Sequence, residues 1–411
     1  MLKVLNDLIW RAFGIFLLIS CANQISATVE LFGLAEQQGG QQGGHGLGYG
    51  RHPHSHSHGV HGDGHLMVRT ASNETISGAQ NDCKHTTLYE TTGNVKFPMC
   101  MGITDQDLKN GMSIINLVNS RGYLPTCRIM QLMMWMSATA NGGSIHKDLF
   151  VDIGSNIGSC AVHMASLGFP VALAEPVVEH INTIKGSAAI NPYFHMDIQH
   201  VGISHEARKI RANFGHGGRN WGATEFHEVT NVKEKAELEE LQLKTVDQII
   251  RGRKVSLMKV DCEGCEWAAL KGATRSLSRV PMIKIELVQP EYEAGNQTVH
   301  IKDILKFLDN KGYDLYMDHW NEQHLYFGKQ PNDILEIDRM FGSIKFKLKS
   351  DMKLLHECAK RILSEPIEVE SYNRDAFLKR ATDVIAIERE LSGRMQKVFL
   401  GKVRPRAKIE S

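Results

Sequence analysis

The chain has 411 residues and 42% apolar content, enough to fill the core of one large domain or two ordinary ones. Lysine and arginine number 47 against 46 for aspartate and glutamate, so no global charge draws the protein to nucleic acid or to a membrane surface. A polyanion-binding function is therefore not expected.

Residues 1–27 read as a signal peptide or signal-anchor: Lys3 and Arg11 precede the apolar run Ala12 to Ala22, with small residues at Ser20, Ala22, Ser26 and Ala27. That run is shorter than the roughly 20 residues a bilayer span needs, so membrane attachment is expected only if the segment persists as an uncleaved anchor lengthened by Leu5 to Trp10. A buried or transit segment is the plain alternative. The expected location is the lumen of the secretory pathway or outside the cell, where Asn73-Glu74-Thr75 and Asn296-Gln297-Thr298 would be glycosylation acceptors. Of eight cysteines, loss of Cys21 with a signal leaves an odd number that cannot all pair within the chain. Cys83, Cys100, Cys127 and Cys358 lie outside the motif region and are the expected partners if disulfides form.

Residues 28–80 read as a disordered linker. Gln37 to His65 is Gly/Gln-rich and then His-rich, without apolar periodicity. Its histidines offer imidazole ligands for Zn²⁺ or Cu²⁺, but no closed-site spacing is present, and a flexible linker is the plainer reading. Residues 81–147 predict a helical lead-in: Ile114, Ile115, Leu117 and Val118, then Ile129 to Met136, fall at helical spacing. Met130, Met133, Met134 and Met136 read as adaptable core rather than a cofactor box.

Over residues 148–330 short apolar strands alternate with helices, which predicts an α/β fold with a doubly wound, mainly parallel seven-stranded sheet. Strands are predicted at Leu149–Ile153, Pro170–Glu175, Asp197–Ile203, Ser256–Val260, Met282–Leu287, Tyr313–Met317 and Leu325–Phe327. Helices are predicted at Gly158–Leu167, Val178–Ile190, Thr245–Arg251, Cys265–Leu277 and Val299–Asn310. The last two strands have no helix between them and suit an antiparallel hairpin at one edge. Residues 204–243 interrupt the rhythm as an insertion in which GHGGRNWG precedes EKAELEELQLK, the latter read as a solvated helix; a substrate loop and a plain surface loop are equally open. Residues 331–411 read as a charged helical extension with no chemistry of its own.

In LFVDIGSNIGS the first strand ends at Asp152-Ile153, and Gly154 and Gly158 bracket the turn into a helix. A P-loop fails for want of the lysine after the second glycine. The dinucleotide fingerprint fails because Asn156 stands where its second glycine belongs. What remains is an acid beside a glycine loop at the carboxyl end of a strand, where doubly wound sheets bind ligands. A carboxylate there repels pyrophosphate and suits a cationic, phosphate-free ligand such as S-adenosylmethionine. Glu175, ending the next strand, can accept both ribose hydroxyls of an adenosine or cap the following helix. Asp261, Glu263 and Glu266 gather at the end of a further strand, where they could orient a substrate hydroxyl, act as base or bind a cation; Glu266 could equally stabilise the next helix. Cys262-x-x-Cys265 invites a redox or zinc reading, but no second pair or spaced histidines accompany it, and two buried small hydrophobes are the plain alternative.

DIGSNIGS, AEPVVEHINTIKGSAAINP, TVDQII, MKVDCEGCEWAALKGA and IKIELVQPE, in this order and spacing, resemble the FkbM family of S-adenosylmethionine-dependent methyltransferases across residues 148–326. The resemblance implies a Rossmann-like class I methyltransferase fold and methyl transfer, usually to a hydroxyl oxygen of a sugar or small natural product. It places Asp152, Gly154 and Gly158 on the family's cofactor loop, Glu175 on its ribose acid and Asn191 on its asparagine after the second helix. Asp261, Glu263, Gly264 and Glu266 fall on the D-x-E-G-x-E motif beside the transfer site. Cys262 and Cys265 depart from the family's aliphatic or small residues, and the insertion is long for the family.

The combined expectation is a glycan or small-molecule hydroxyl acceptor and S-adenosylmethionine held by Asp152, Gly154, Asn156, Gly158, Glu175 and Asp261. Glu263, then Asp261, is expected to take the acceptor's proton, with His205, His216 and His227 behind them and no resident metal. Two competing readings keep the fold without catalysis, as a carbohydrate-binding or regulatory protein, or place the function in the His-rich segment as a metal carrier.

Overall fold

The computed structural model describes residues 83, 86–90, 96–101, 114, 118, 122–142, 148–215, 225–228, 239–287, 289, 291–318, 336–338, 345–347, 352–374 and 383–403. They all lie in one unit, His65–Ser411. The signal, the His-rich segment and His216 lie outside the described residues, as does the strand expected at Leu325–Phe327.

The chain begins with an antiparallel hairpin, β1 (Thr86–Glu90) and β2 (Lys96–Cys100), then α1 (Pro125–Ala140). The α/β alternation follows as β3 (Leu149–Ile153), α2 (Ser159–Ser166), β4 (Val171–Glu175), α3 (Val178–Ala189) and β5 (Met196–His200). The insertion supplies β6 (Gly202–Ile203), β7 (Arg208–Gly215), β8 (Glu225–Glu228) and β9 (Glu239–Lys244). The alternation resumes with α4 (Val246–Ile250), β10 (Val255–Val260), α5 (Glu266–Gly272) and β11 (Met282–Glu286). A small hairpin, β12 (Tyr292–Ala294) and β13 (Gln297–Val299), precedes α6 (Ile301–Asn310) and β14 (Tyr313–Asp318). The chain continues through β15 (Glu336–Asp338), β16 (Lys345–Lys347), α7 (Met352–Ser364), β17 (Asp383–Glu388) and α8 (Arg389–Leu400).

Seven strands form the central sheet in the order β14-β17-β11-β10-β3-β4-β5. The pairs β11/β10, β10/β3, β3/β4 and β4/β5 are parallel, and β17 runs antiparallel to both neighbours. β3 and β4 are buried throughout, as strands covered on both faces must be. One face carries Phe150, Leu257, Met282 and Ile385 against α1, α2, α3, α7 and α8; the other carries Val151, Met258, Ile283 and Ala386 against α4, α5 and α6. α6 shows how the sequence writes such a helix. Ile301, Ile304, Leu305 and Leu308 form one buried stripe, and the Asp303 carboxylate takes the His300 N–H at the helix start. Each such aliphatic side chain stabilises by about 1.5–3 kcal/mol when fully buried.

Three expectations are corrected. The antiparallel strand comes from Asp383–Glu388 and lies inside the sheet, so the C-terminal region is not only a helical extension. Its run DVIAIE is short and apolar, but it stands far downstream of the alternating pattern. Glu239–Lys244 is a strand rather than a solvated helix: Leu241 and Leu243, two apart, bury one face against Ile210 and Ala212. Its neighbours make a four-stranded sheet, β6-β9-β7-β8, of the insertion. The lead-in is a hairpin plus a helix. The Asn191 amide donates to Pro98 O at 2.8 Å, and Ser187 Oγ accepts from Cys100 N–H at 2.9 Å, which docks β2 on α3.

Disulfides join Cys83 to Cys100, Cys127 to Cys160 and Cys262 to Cys265. Cys160 was not expected among the partners, and the Cys262/Cys265 pair is a disulfide rather than two packed thiols. Among the described residues no helix is long and apolar enough to cross a membrane.

Candidate active site

The turn from β3 into α2 requires its two glycines. Gly154 has φ +73°, and a Cβ there would lie 1.9 Å from the carbonyl oxygen of Asp261. Gly158 has φ +80°, and a Cβ would lie 2.6 Å from Ile184 Cγ1. Asn156, also left-handed at φ 52°, turns its Oδ1 onto the Ile157 N–H at 2.7 Å, a local bond that lets asparagine hold this conformation. Asp261 N–H in turn donates to Ile153 O at 3.0 Å, so loop and acid motif are braced together.

Glu175 serves the loop and the helix beyond it. Its Oε2 accepts the Asn156 N–H at 2.8 Å, while Oε1 accepts the Val177 N–H at 3.0 Å and lies 3.1 Å from His180 Nδ1. Glu175 thus braces the loop and the entry to α3 together. A carboxylate offers about four acceptor positions, so Oε2 retains one beyond the Asn156 amide.

Strand register explains which groups meet. Asp152 pairs with Lys259, Lys259 with Lys284, Glu286 with Asp383 and Asp383 with Asp318, so these side chains share one face along the carboxyl edge of the parallel strands. Lys259 is the link that the sequence reading missed. Its Nζ lies 3.3 Å from Asp152 Oδ1 and 3.1 Å from Asp261 Oδ2, and donates to Gly154 O at 2.9 Å. The positive charge that Asp152 meets therefore comes from its own chain.

The electrostatics follow from burial and these partners. Burial opposes the Lys259 ammonium, but Asp152 and Asp261 outweigh it and hold its pKa above the ordinary value. Burial pushes Asp152 up to about 6 against the pull of Lys259. For Asp261 burial acts upward too, but Lys259 and a hydrogen bond from Glu286 prevail and hold it low. Glu286, also missed from sequence, is pushed up to about 10 by burial and then by Asp261. It is therefore a neutral acid at pH 7 that donates a proton to the Asp261 carboxylate. Asp261, Glu263 and Glu286 bring one oxygen each within 4.8 Å of one another. That spacing suits a shared proton and is also close enough for a divalent cation.

Glu266 faces its own loop: Oε1 takes the Cys262 N–H and Oε2 the Gly264 N–H, both at 2.9 Å. Burial raises it to about 7. Between those amides Glu263 and Gly264 adopt φ 54° and φ +113°, and Glu263 is half-buried. Farther along the edge, buried Lys284 bonds Asp383 and lies 3.3 Å from Asp318 Oδ2, tying the C-terminal β17 to the site-bearing strand β11. Asn191 sits at the hairpin contact. His205 packs against Gly295 in the β12/β13 turn, and His227 lies on β8.

A seven-stranded sheet with one antiparallel strand set inside its edge, and a glycine loop facing acids at the carboxyl edge, is a Rossmann-like fold of the class I methyltransferase type. Residues 152–315 match the methyltransferase FkbM domain family. No curated protein matches the chain. Among solved structures it is similar to the bifunctional kinase-methyltransferase WbdD, at 13% identity over 40% of this chain and 28% of that one, TM-score 0.25. The chain thus spans less than a third of WbdD. It is also similar to precorrin-6y C5,15-methyltransferase from Geobacter metallireducens GS-15, at 10% identity over 61% and 88%, TM-score 0.26. The plantazolicin methyltransferase BpumL, in complex with SAH, is 12% identical over 70% and 93%, TM-score 0.23.

Proposed function

We propose that the chain transfers a methyl group from S-adenosylmethionine to a hydroxyl oxygen of a glycan or small metabolite in the secretory pathway. The observation that carries this reading is the bracing of the Gly154–Gly158 loop against both Glu175 and Asp261, within the FkbM-matching span. The residues fit the cofactor. Glu175 Oε2 keeps an acceptor position for a ribose hydroxyl, and Ser159 Oγ, buried at the head of α2, has no hydrogen-bond partner among the described residues. The carboxylates of Asp152, Glu175, Asp261 and Glu263 outweigh the Lys259 ammonium, which favours a cationic ligand. Three disulfides support an oxidising compartment.

When bound, S-adenosylmethionine supplies the methyl group from its sulfonium. Gly154, Asn156, Gly158 and Glu175 bind and orient it, and Asp152 acts through Lys259 to hold the loop. Glu263 takes the acceptor's hydroxyl proton. Asp261, stripped of basicity by Lys259 and the Glu286 proton, orients the hydroxyl instead. Alignment of oxygen, methyl carbon and sulfur supplies most of the rate.

Isothermal titration of the full chain with S-adenosylmethionine tests the cofactor, and incubation with the labelled cofactor and fractionated glycans, lipids and proteins tests the acceptor. Saturable binding and label in a hydroxyl-bearing fraction are expected. A folded chain that binds no cofactor ends the methyltransferase reading, and label confined to protein nitrogen ends the hydroxyl assignment.

A further inference from the structure

We infer that the Cys262–Cys265 disulfide is a positioning clamp for the transfer site, and that a dithiol reductant opens it with loss of turnover. This rests on the methyltransferase reading of the same site and adds a redox control to it.

The disulfide closes a small ring around Glu263 and Gly264, both in the left-handed region. Glutamate seldom adopts φ 54°, because its Cβ crowds the backbone there. Something must hold it, and the disulfide and the Glu266 carboxylate beneath the Cys262 and Gly264 amides both restrain this turn. The ring also touches the cofactor loop, since a Cβ on Gly154 would lie 2.8 Å from Cys262 Cα. The clamp thus fixes the candidate base, Glu263, at the distance from Asp261 and Glu286 that brings the three carboxyl groups together.

Access separates this disulfide most sharply from Cys127–Cys160. Cys262 and Cys265 are both partly buried, whereas Cys127 is 0% exposed and Cys160 3%, and the remaining pair joins a partly buried Cys83 to a fully buried Cys100. A thiolate of the dithiol attacks one sulfur of the pair and forms a mixed disulfide while the other cysteine leaves as a thiolate. The reductant's second thiol then displaces the first cysteine. The products are two cysteine thiols, which take up the two protons, and one oxidised cyclic disulfide. With the ring open, Glu263 relaxes toward negative φ and its carboxylate leaves the acceptor position. The ring meets the glycine loop only at Gly154, and the braces that hold the loop, Glu175 on the Asn156 N–H and Lys259 on Gly154 O, lie outside the ring, so cofactor affinity persists while kcat falls.

The test treats the oxidised full chain with dithiothreitol under native conditions, maps freed thiols by alkylation and peptide mass, and follows three readouts. Amide hydrogen exchange within residues 261–266 is expected to quicken about tenfold as the ring opens. The kcat for methyl transfer is expected to fall about tenfold or more, with the dissociation constant for S-adenosylmethionine unchanged. Reoxidation restores both, and a Cys262→Ser/Cys265→Ser double variant resembles the reduced protein and no longer responds to dithiol. A folded double variant that keeps oxidised wild-type exchange and kcat overturns the clamp, and so does mapping in which Cys83–Cys100 opens while Cys262–Cys265 stays closed. Hydrogen exchange needs no acceptor or cofactor. A chain that passes it but binds no S-adenosylmethionine therefore refutes the functional reading and leaves the clamp standing.

Discussion

Lys259 and Asp152 are register partners on adjacent parallel strands, and the lysine ammonium lies 3.3 Å from a carboxylate that no solvent reaches. The pair joins β10 to the loop that leaves β3. Replacing Lys259 with methionine keeps the stem's volume but leaves Asp152 buried without its cation. Removing one partner of such a pair costs about 3–5 kcal/mol. Urea denaturation should register that loss at pH 7. A loss below about 1 kcal/mol would mean that Asp152 finds other relief there.

Glu286 gives the pH dependence a definite sign. Its carboxyl is raised from the ordinary 4.5 to about 10 in the folded protein, so the folded state holds a proton that the unfolded state releases first. That contribution to stability is full below pH 4.5 and is lost as pH climbs through about 10. Glu286→Gln copies the neutral acid and keeps a donor for Asp261. It should fold within about 1 kcal/mol of wild type at pH 7 and flatten this part of the pH–stability curve. A curve of unchanged slope in the variant would assign the proton elsewhere.

Gly154→Ala should be far more damaging than its single methyl suggests. The new Cβ would stand 1.9 Å from a backbone oxygen of Asp261, and the residue would remain at φ +73°. The left-handed strain alone is about 1–3 kcal/mol, and backbone cannot give way as a flexible side chain would. Calorimetry should show a lowered Tm and titration no cofactor binding. Wild-type behaviour in both would remove the close approach of loop and acid motif.

Much of this site is legible in the sequence because its parts lie at strand ends, where apolar runs stop and a glycine or an acid follows. Asp152, Glu175 and Asp261 each end such a run, and the strands beneath them begin and end within a residue or two of the pattern. Lys259 and Glu286 escaped notice for the opposite reason. They alternate with apolar neighbours inside MKV and KIE, where a charged residue reads as solvent-facing, and only the register of neighbouring strands sets Lys259 beside Asp152 and Glu286 beside Asp383. β17 escaped because nothing local tells an apolar hexamer far downstream that its place is between β11 and β14. Helix and strand were confused at Glu239–Lys244 because charge content outweighed the two leucines that set the period.

The C-terminal strand makes its own prediction. Ending the chain before Asp383 removes a strand with partners on both sides, exposes two new edges and takes away the carboxylate bonded to buried Lys284. Such a truncation should fail to unfold cooperatively and should expose apolar surface to a dye, whereas a dispensable extension would leave a two-state transition intact.

Glu175 separates the two roles that its geometry combines. Glu175→Gln replaces one acceptor oxygen by a donor, so at least one of the Asn156, Val177 and His180 contacts meets a nitrogen of the wrong sense. An unmet buried group costs about 1–3 kcal/mol, part of it at the entry to α3 and part in the loop proposed to receive the cofactor. If a ribose hydroxyl also uses Oε2, S-adenosylmethionine should bind about tenfold or more weakly to the folded variant, a difference of about 1.4 kcal/mol that titration resolves. Adenosine without the methionine portion should lose affinity by the same factor, because both carry the ribose. A variant that is less stable but binds both ligands as wild type does would leave Glu175 as a helix cap and loop brace, and would move ribose recognition to another residue.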